Sequence, residues 1–157
     1  MVMEYVPYSL AEHRGRVLFG KDPLRCAYEL ASAINCVHAA GLIHRDVKPS
    51  NVLVTKVGRI KLADFGVSCE LAIGEFASED KGTQGFKAPE VRGNRYTHSS
   101  DVFSYGKTLE NVVNQSETIT QEDRIVIDRV IVGSVEIKPG DRSSLENILM
   151  ELKSKEW

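Results

Sequence analysis

One stretch constrains the fold of this chain more than any other: His44-Arg45-Asp46-Val47-Lys48-Pro49-Ser50-Asn51. It has the shape H-R-D-x-K-P-x-N and runs straight into an apolar, strand-like segment, Val52-Leu53-Val54. Leu42-Ile43 before it also reads as a short strand, so a polar loop is predicted over 44–51 between two strands. Lys56-Val57-Gly58 turns the chain, and Arg59-Ile60-Lys61-Leu62 alternates polar and apolar as a half-buried strand does. Asp64-Phe65-Gly66 ends that strand, and Ala88-Pro89-Glu90 follows further on. Any one of these motifs alone is weak evidence. The three in this order, with Lys48 and Asn51 in register, leave chance a remote explanation.

The rest of the chain reads mostly as helix. Asp22-Pro23 is a helix start, a capping side chain followed by proline at the first helical position. Leu24, Ala27, Leu30, Ala31, Ile34 and Val37 recur at helical spacing, and Gly41 suits the left-handed position that stops a helix. A helix is therefore predicted over 22–40, supporting the loop after it. Others are predicted over 101–114, beginning at Ser99-Ser100-Asp101, over 123–132, and over 143–155, where Ser143 and Glu146 have capping-box spacing. Met1 to Val6 reads as the end of a strand. Val67 to Lys87 is small and polar, with Gly74, Gly82 and Gly85, and reads as a mobile surface loop. Gly15 to Lys21 approaches the phosphate-binding pattern G-x-x-x-x-G-K-[ST], but Asp22 stands where the hydroxyl belongs and no strand precedes Gly15. That reading is rejected.

At 157 residues the chain suits one domain with its own core. A net charge of −2 gives no electrostatic footprint for nucleic acid or an anionic membrane. No apolar run approaches the roughly 20 residues of a membrane helix, and no signal peptide is visible. Cys26, Cys36 and Cys69 are widely spaced and odd in number, which suits reduced thiols in the cytoplasm or nucleus.

The three motifs together resemble the catalytic half of a eukaryotic protein kinase. The resemblance implies a mainly α fold with a few short β strands, the kinase-like large (C-terminal) lobe with the small lobe missing. Residues 1–6 would be the last small-lobe strand and hinge, and 7–157 the large lobe. It implies ATP and Mg²⁺ as cofactors. Phosphoryl transfer asks the protein mainly for positioning and charge balance around the phosphates. By resemblance, Asp46 is the base that orients and deprotonates the acceptor hydroxyl, and Lys48 neutralises the transferred group. Asn51 and Asp64 ligate Mg²⁺. The backbone of Glu4 and Val6 faces the adenine edge, with Met3 beside it, and Val52 and Leu53 lie beneath. The same resemblance implies that His44 and Phe65 pack together, that Asp101 holds the loop backbone, and that Glu90 and Arg142 form a buried ion pair. Arg45 would receive an activation-loop phosphate, with Ser78 the candidate site.

Lys48 with Gly82-Thr83 resembles the serine/threonine class, and 46–53 and 60–68 are similar to the MAP kinase kinases. The chain departs from the pattern in several places. No G-x-G-x-x-G occurs, nor a V-A-I-K lysine. Phe103 stands where tryptophan is frequent, Lys107 is unusual on a buried face, and 114–123 is short for the usual extra helix. Two functions follow. One is a serine/threonine kinase, inactive as an isolated chain. The other is a non-catalytic kinase-like module that binds a partner kinase or a protein substrate. A face carrying Val6, Leu53 and Phe65 is expected to be left partly open, so that the chain self-associates, binds a partner through it or is poorly soluble alone, and neither nucleic acid nor membrane is expected as a partner.

Overall fold

The computed structural model describes residues 5–72, 74–78, 80–93 and 95–153. In chain order these form β1 (Tyr8–Ser9), α1 (His13–Lys21), α2 (Pro23–Ala39), β2 (Leu42–Ile43), β3 (Val52–Val54), β4 (Ile60–Leu62) and β5 (Cys69–Glu70). The C-terminal half holds α3 (His98–Asn114), α4 (Gln121–Ser134) and α5 (Leu145–Leu152). Among the described residues no strand exceeds three residues, so the fold is mainly helical with a few short strands.

α2 is the helix around which the others pack. Leu24, Ala27, Leu30, Ala31 and Ile34 are buried along one stripe, as an amphipathic helix requires. α3 adds Tyr105, Leu109 and Val112 to the same core, and α4 and α5 add Ile127, Val130, Ile148 and Leu152. Tyr105 O–H donates to Ala27 O at 3.2 Å, so the polar end of a fully buried ring is satisfied. Asp22 caps α2 as expected, accepting from Arg25 N–H, and Gly41 takes φ +76° after its end.

Two small antiparallel sheets hold the loop that follows α2. One has the order β1-β3-β4, with Val52 opposite Leu62 and Val54 opposite Ile60. The other pairs β2 with β5, Ile43 opposite Cys69. Because β2 enters the loop 44–51 and β3 leaves it, each stem of the loop belongs to a different sheet.

Several elements differ from the sequence reading. α1 was not anticipated, because Gly15 and Gly20 lower helix propensity. Their reason is close approach: a Cβ at Gly15 would lie 1.9 Å from Ser9 O, and one at Gly20 1.9 Å from Thr118 Oγ1. The expected N-terminal strand falls mostly on 1–4, outside the described residues. Tyr5 to Pro7 are not in a strand, and pairing begins only after Pro7, which has no N–H to donate. α3 starts at His98 rather than Asp101, where Thr97 N–H donates to Ser100 Oγ at 3.1 Å. α4 begins at Gln121, after Thr120 accepts from Asp123 N–H. The cap of α5 is Ser144, accepting from Asn147 N–H at 3.2 Å, because Ser143 N–H is tied to Gly133 O at 2.8 Å. The segment 67–87 is fastened to the rest of the fold by β5 and by a bridge between Ala77 and Tyr96, among other contacts.

The expected ion pair is present. Arg142 is nearly inaccessible and donates to both oxygens of Glu90, at 2.7 and 2.8 Å. Ser100 O–H donates to the same carboxylate at 2.9 Å, and the guanidinium lies 5.0 Å from the Phe103 ring centroid. Burial alone would raise the Glu90 carboxyl. Hydrogen bonds from Arg142, the backbone and Ser100, with the Arg142 charge, outweigh that and hold it below the ordinary range. A carboxylate lowered in the folded state stabilises the fold above its unfolded pKa, and the contribution is lost as pH falls through the folded value. Glu90→Gln should therefore cost about 3 kcal/mol at neutral pH, leaving a buried cation unpaired. Urea unfolding of both proteins should show the gap closing as pH drops below the ordinary carboxylate range.

Candidate active site

The loop 44–51 is set by one carboxylate beneath it. Asp101 on α3 is fully buried. Its Oδ2 accepts from His44 N–H at 2.8 Å and its Oδ1 from Arg45 N–H at 2.9 Å. His38, near the end of α2, reaches the same Oδ2 with Nε2 at 2.9 Å. From above, Tyr96 O–H donates to Arg45 O at 2.8 Å. Arg45 is thus held at φ 68°, a left-handed conformation that costs a non-glycine residue about 1–3 kcal/mol. Gly82, itself at φ +91°, crosses so close that a Cβ would meet Arg45 O at 2.4 Å.

This clamp presents Asp46 to a ring of donors. Thr83 O–H donates to Oδ1 at 2.7 Å, while Oδ2 faces Lys48 Nζ and Asn51 Nδ2, each at 3.1 Å. Lys48 Nζ also donates to Thr83 Oγ1 at 2.6 Å, and Asn51 Nδ2 to Asp46 O at 2.9 Å. Burial would raise the Asp46 carboxyl, but the bonds from Thr83, Lys48 and Asn51 and the Lys48 charge prevail and hold it below its usual value. The group is ionised through neutral pH and fixed in direction.

Asn51 links the loop to the next motif. Its backbone O accepts from Ala63 N–H at 2.9 Å, which sets Asp64 beside it in the chain path. Asp64 is the second residue at left-handed φ, 60°, and accepts from Gly66 N–H at 3.2 Å. His44 joins the two motifs from below. Asp46 N–H donates to Nδ1 at 3.2 Å, and Nε2 meets Ala63 O at 2.9 Å. The His44 and Phe65 rings meet edge to face at 4.9 Å, as expected, with Phe65 still 47% exposed.

The other expected positions are less defined. Leu53 is half-buried in β3 opposite Ser9 and Lys61, and Val6 is half-buried outside any strand. Glu4 and Met3 lie outside the described residues. Arg45 Nε–H donates to Val67 O at 2.5 Å, and Ser78 is exposed. The contact of Thr83 with Asp46, and the supports from His38, Tyr96 and Gly82, were not read from the sequence. Gly82, Thr83 and Tyr96 reach the loop from 37 or more residues away, and His38 acts through Asp101, 63 positions from it, with no local pattern to mark them.

The family model for the protein kinase domain matches residues 1–153. This chain belongs to the protein kinase family. It is 45% identical over 95 residues to the MAP kinase kinase skh1/pek1 of Schizosaccharomyces pombe, covering 59% of this chain and 26% of that protein. It is 51% identical over 115 residues to the mitogen-activated protein kinase kinase MST7 of Pyricularia oryzae, covering 69% of this chain and 27% of that one. Against the serine/threonine-protein kinase PEPKR2 of Arabidopsis thaliana the figures are 42% over 81 residues, 52% and 17%. The chain therefore spans about a quarter or less of these relatives. The MAP kinase kinase resemblance read from 46–53 and 60–68 agrees with them.

For a kinase loop held this way, Asp101→Ala strands two buried N–H groups and frees the strained Arg45. Loss of one buried charged partner of this kind costs about 3–5 kcal/mol. Hydrogen exchange should quicken first at the His44 and Arg45 amides, and Asp101→Asn, which keeps one acceptor, should restore part of the protection.

Proposed function

We propose that this lobe serves ATP-dependent transfer of a phosphoryl group to a serine or threonine hydroxyl of a protein. The observation that carries the reading is Asp46, ionised and clamped among Lys48, Asn51 and Thr83. A carboxylate with a lowered pKa is a weak base but a good positioner. It suits a transfer in which the acceptor O–H is oriented first and loses its proton late, as a loose transition state allows. Lys48, within reach of Asp46, supplies positive charge beside the accepting oxygen.

The residues present also fit Mg²⁺-ATP. Asn51 directs Nδ2 at Asp46, which leaves its carboxamide oxygen for a cation, and Asp64 offers an exposed carboxylate nearby in the fold. One amide oxygen and one carboxylate match the few protein oxygens that Mg²⁺ takes alongside phosphate and water. When bound, the metal nucleotide supplies the phosphoryl group and neutralises charge on it. Val6 and Leu53 would form the apolar bed for the base, and Glu4 its backbone edge.

The 157 residues contain neither the Gly-rich pattern nor the V-A-I-K lysine. We read 7–157 as the large lobe, dependent on a small lobe for turnover. A second reading, a non-catalytic module for a partner kinase or substrate, rests on that same lack and on Phe65 standing 47% exposed. The chain alone should show no turnover of Mg²⁺-ATP with a protein substrate. Fused behind the small lobe of a MAP kinase kinase relative, it should phosphorylate serine or threonine, and Asp46→Asn should lower kcat about 10²–10⁴-fold. An inactive but folded, nucleotide-binding chimera would favour the binding module. Turnover unchanged by Asp46→Asn would remove Asp46 from the chemistry.

A further inference from the structure

Two histidines meet where the end of α2 touches the start of α3, and their electrostatic settings are opposite. His38 lies in the last turn of α2 and places Nε2 on Asp101 Oδ2 at 2.9 Å. His98 is the first residue of α3, where a helix presents its positive end and disfavours a cation. The two rings meet edge to face, centroids 4.7 Å apart.

His98 is poorly placed to hold a proton. Its Nε2 is buried and has no hydrogen-bonding partner among the described residues. An imidazolium carries N–H at both nitrogens, so a proton taken up by His98 leaves a buried donor unpaired. The charged groups around it offer little compensation. Asp101, one turn on in α3, already accepts from His44 N–H and Arg45 N–H and holds His38. Across the contact, Arg142 is bound to Glu90, and Glu146 in the first turn of α5 is exposed, where water screens it. Burial and then the neighbouring His38 lower the His98 pKa, against a smaller opposing pull from Asp101.

Repulsion between the rings has one soft direction. The first turn of α3 is pinned: Ser99 O–H donates to Pro139 O and Arg142 to Ser99 O, each at 2.9 Å, and Ser100 O–H donates to Glu90 at 2.9 Å. The His38 and His98 rings instead line an open pocket of about 500 Å³. Rings that part into this space gain water, and His38 then leaves Asp101.

We propose that the His38–His98 contact is an acid-sensitive latch on the loop 44–51: protonation of His98 parts the two rings, withdraws His38 from Asp101 and loosens the hold of Asp101 on the His44 and Arg45 amides. The latch works in the imidazole range. A histidine whose pKa is lowered in the latched state leaves the open state with more bound protons. The stability it confers is therefore full above its ordinary value of 6.5 and is lost as pH falls from there towards the lower, latched value. Glu90, lowered from the ordinary carboxylate range, titrates in a separate window at more acid pH. The latch is independent of phosphoryl transfer, and its test needs no turnover.

The test follows amide exchange and histidine ring resonances of the 157-residue chain between about pH 7.5 and about pH 5.5. Protection of the His44 and Arg45 amides, corrected for intrinsic exchange, should fall about fivefold or more, while Ile127 in α4 and Ile148 in α5 keep theirs. The His98 ring should titrate below about 6.5, and the His44 and Arg45 amide shifts should follow the same midpoint. His98→Leu, which cannot take a proton, should flatten the fall in protection. His44 itself faces the loop, but it is the same in both proteins and cancels in the comparison. An equal fall in His98→Leu, amide midpoints different from that of the His98 ring, or no fall by about pH 5.5 would overturn the latch. Parallel loss at Ile127 and Ile148 would mean global unfolding and overturn it too. Should His98→Leu not fold, His98→Gln and the ring titration of the unaltered chain decide.

Discussion

The carboxylate of Asp101 is the interaction on which this fold depends. It is buried, and is compensated by two backbone N–H groups and one imidazole. Such an arrangement is stable only when every lone pair finds a donor, since an ionised group in a dry site is otherwise prohibitively costly. The same requirement fixes the donors. His44 and Arg45 cannot move without exposing a charge to apolar surroundings, so the loop inherits the rigidity of α3. That rigidity supports the left-handed backbone at Arg45, and the turn at Arg45 is what brings Asp46 out toward Lys48, Asn51 and Thr83.

A second left-handed residue, Asp64, stands at the other side of the site. Between the two, β3 and β4 form a hairpin three residues long in each strand, too small to be stable by itself. Its stability comes from Val52, Val54 and Ile60, which are buried against the α2–α3 core. Strain at Arg45 and Asp64 is therefore anchored in helix packing rather than in local turn chemistry. His44 couples the chain neighbours of the two strained residues, because one ring nitrogen accepts from Asp46 N–H while the other meets Ala63 O.

Much of this was legible in the sequence. The motifs at 44–51, 64–66 and 88–90 marked the site, and helical periodicity marked α2, whose stripe is long and uninterrupted. What stayed hidden was whatever depends on distant atoms. α1 was masked by Gly15 and Gly20, whose cause is the oxygen of Ser9 in one case and Thr118 in the other. The cap of α5 slipped from Ser143 to Ser144 because a backbone bond from Ser143 N–H to Gly133 O, not local pattern, holds Ser143. Thr83 was legible as a motif residue, yet its contact with Asp46 spans 37 positions and follows only from the path of residues 67–87.

That path explains why the site needs its long excursion. β5 returns the chain to β2 at the entrance of the loop 44–51, and the Ala77–Tyr96 bridge fastens it again beside α3. Tyr96, whose hydroxyl is pushed up by burial, stays protonated and so remains a donor to Arg45 O. Gly82 then passes over Arg45 O at a distance no side chain would permit, and Thr83 arrives at Asp46. Each step fixes the next: the bridge sets Tyr96, Tyr96 sets the carbonyl of Arg45, and that carbonyl sets where Gly82 can cross. A substitution at Gly82 would therefore act on Asp46 without touching it, by lifting Thr83 off Oδ1 and leaving Lys48 and Asn51 as the donors to its side chain.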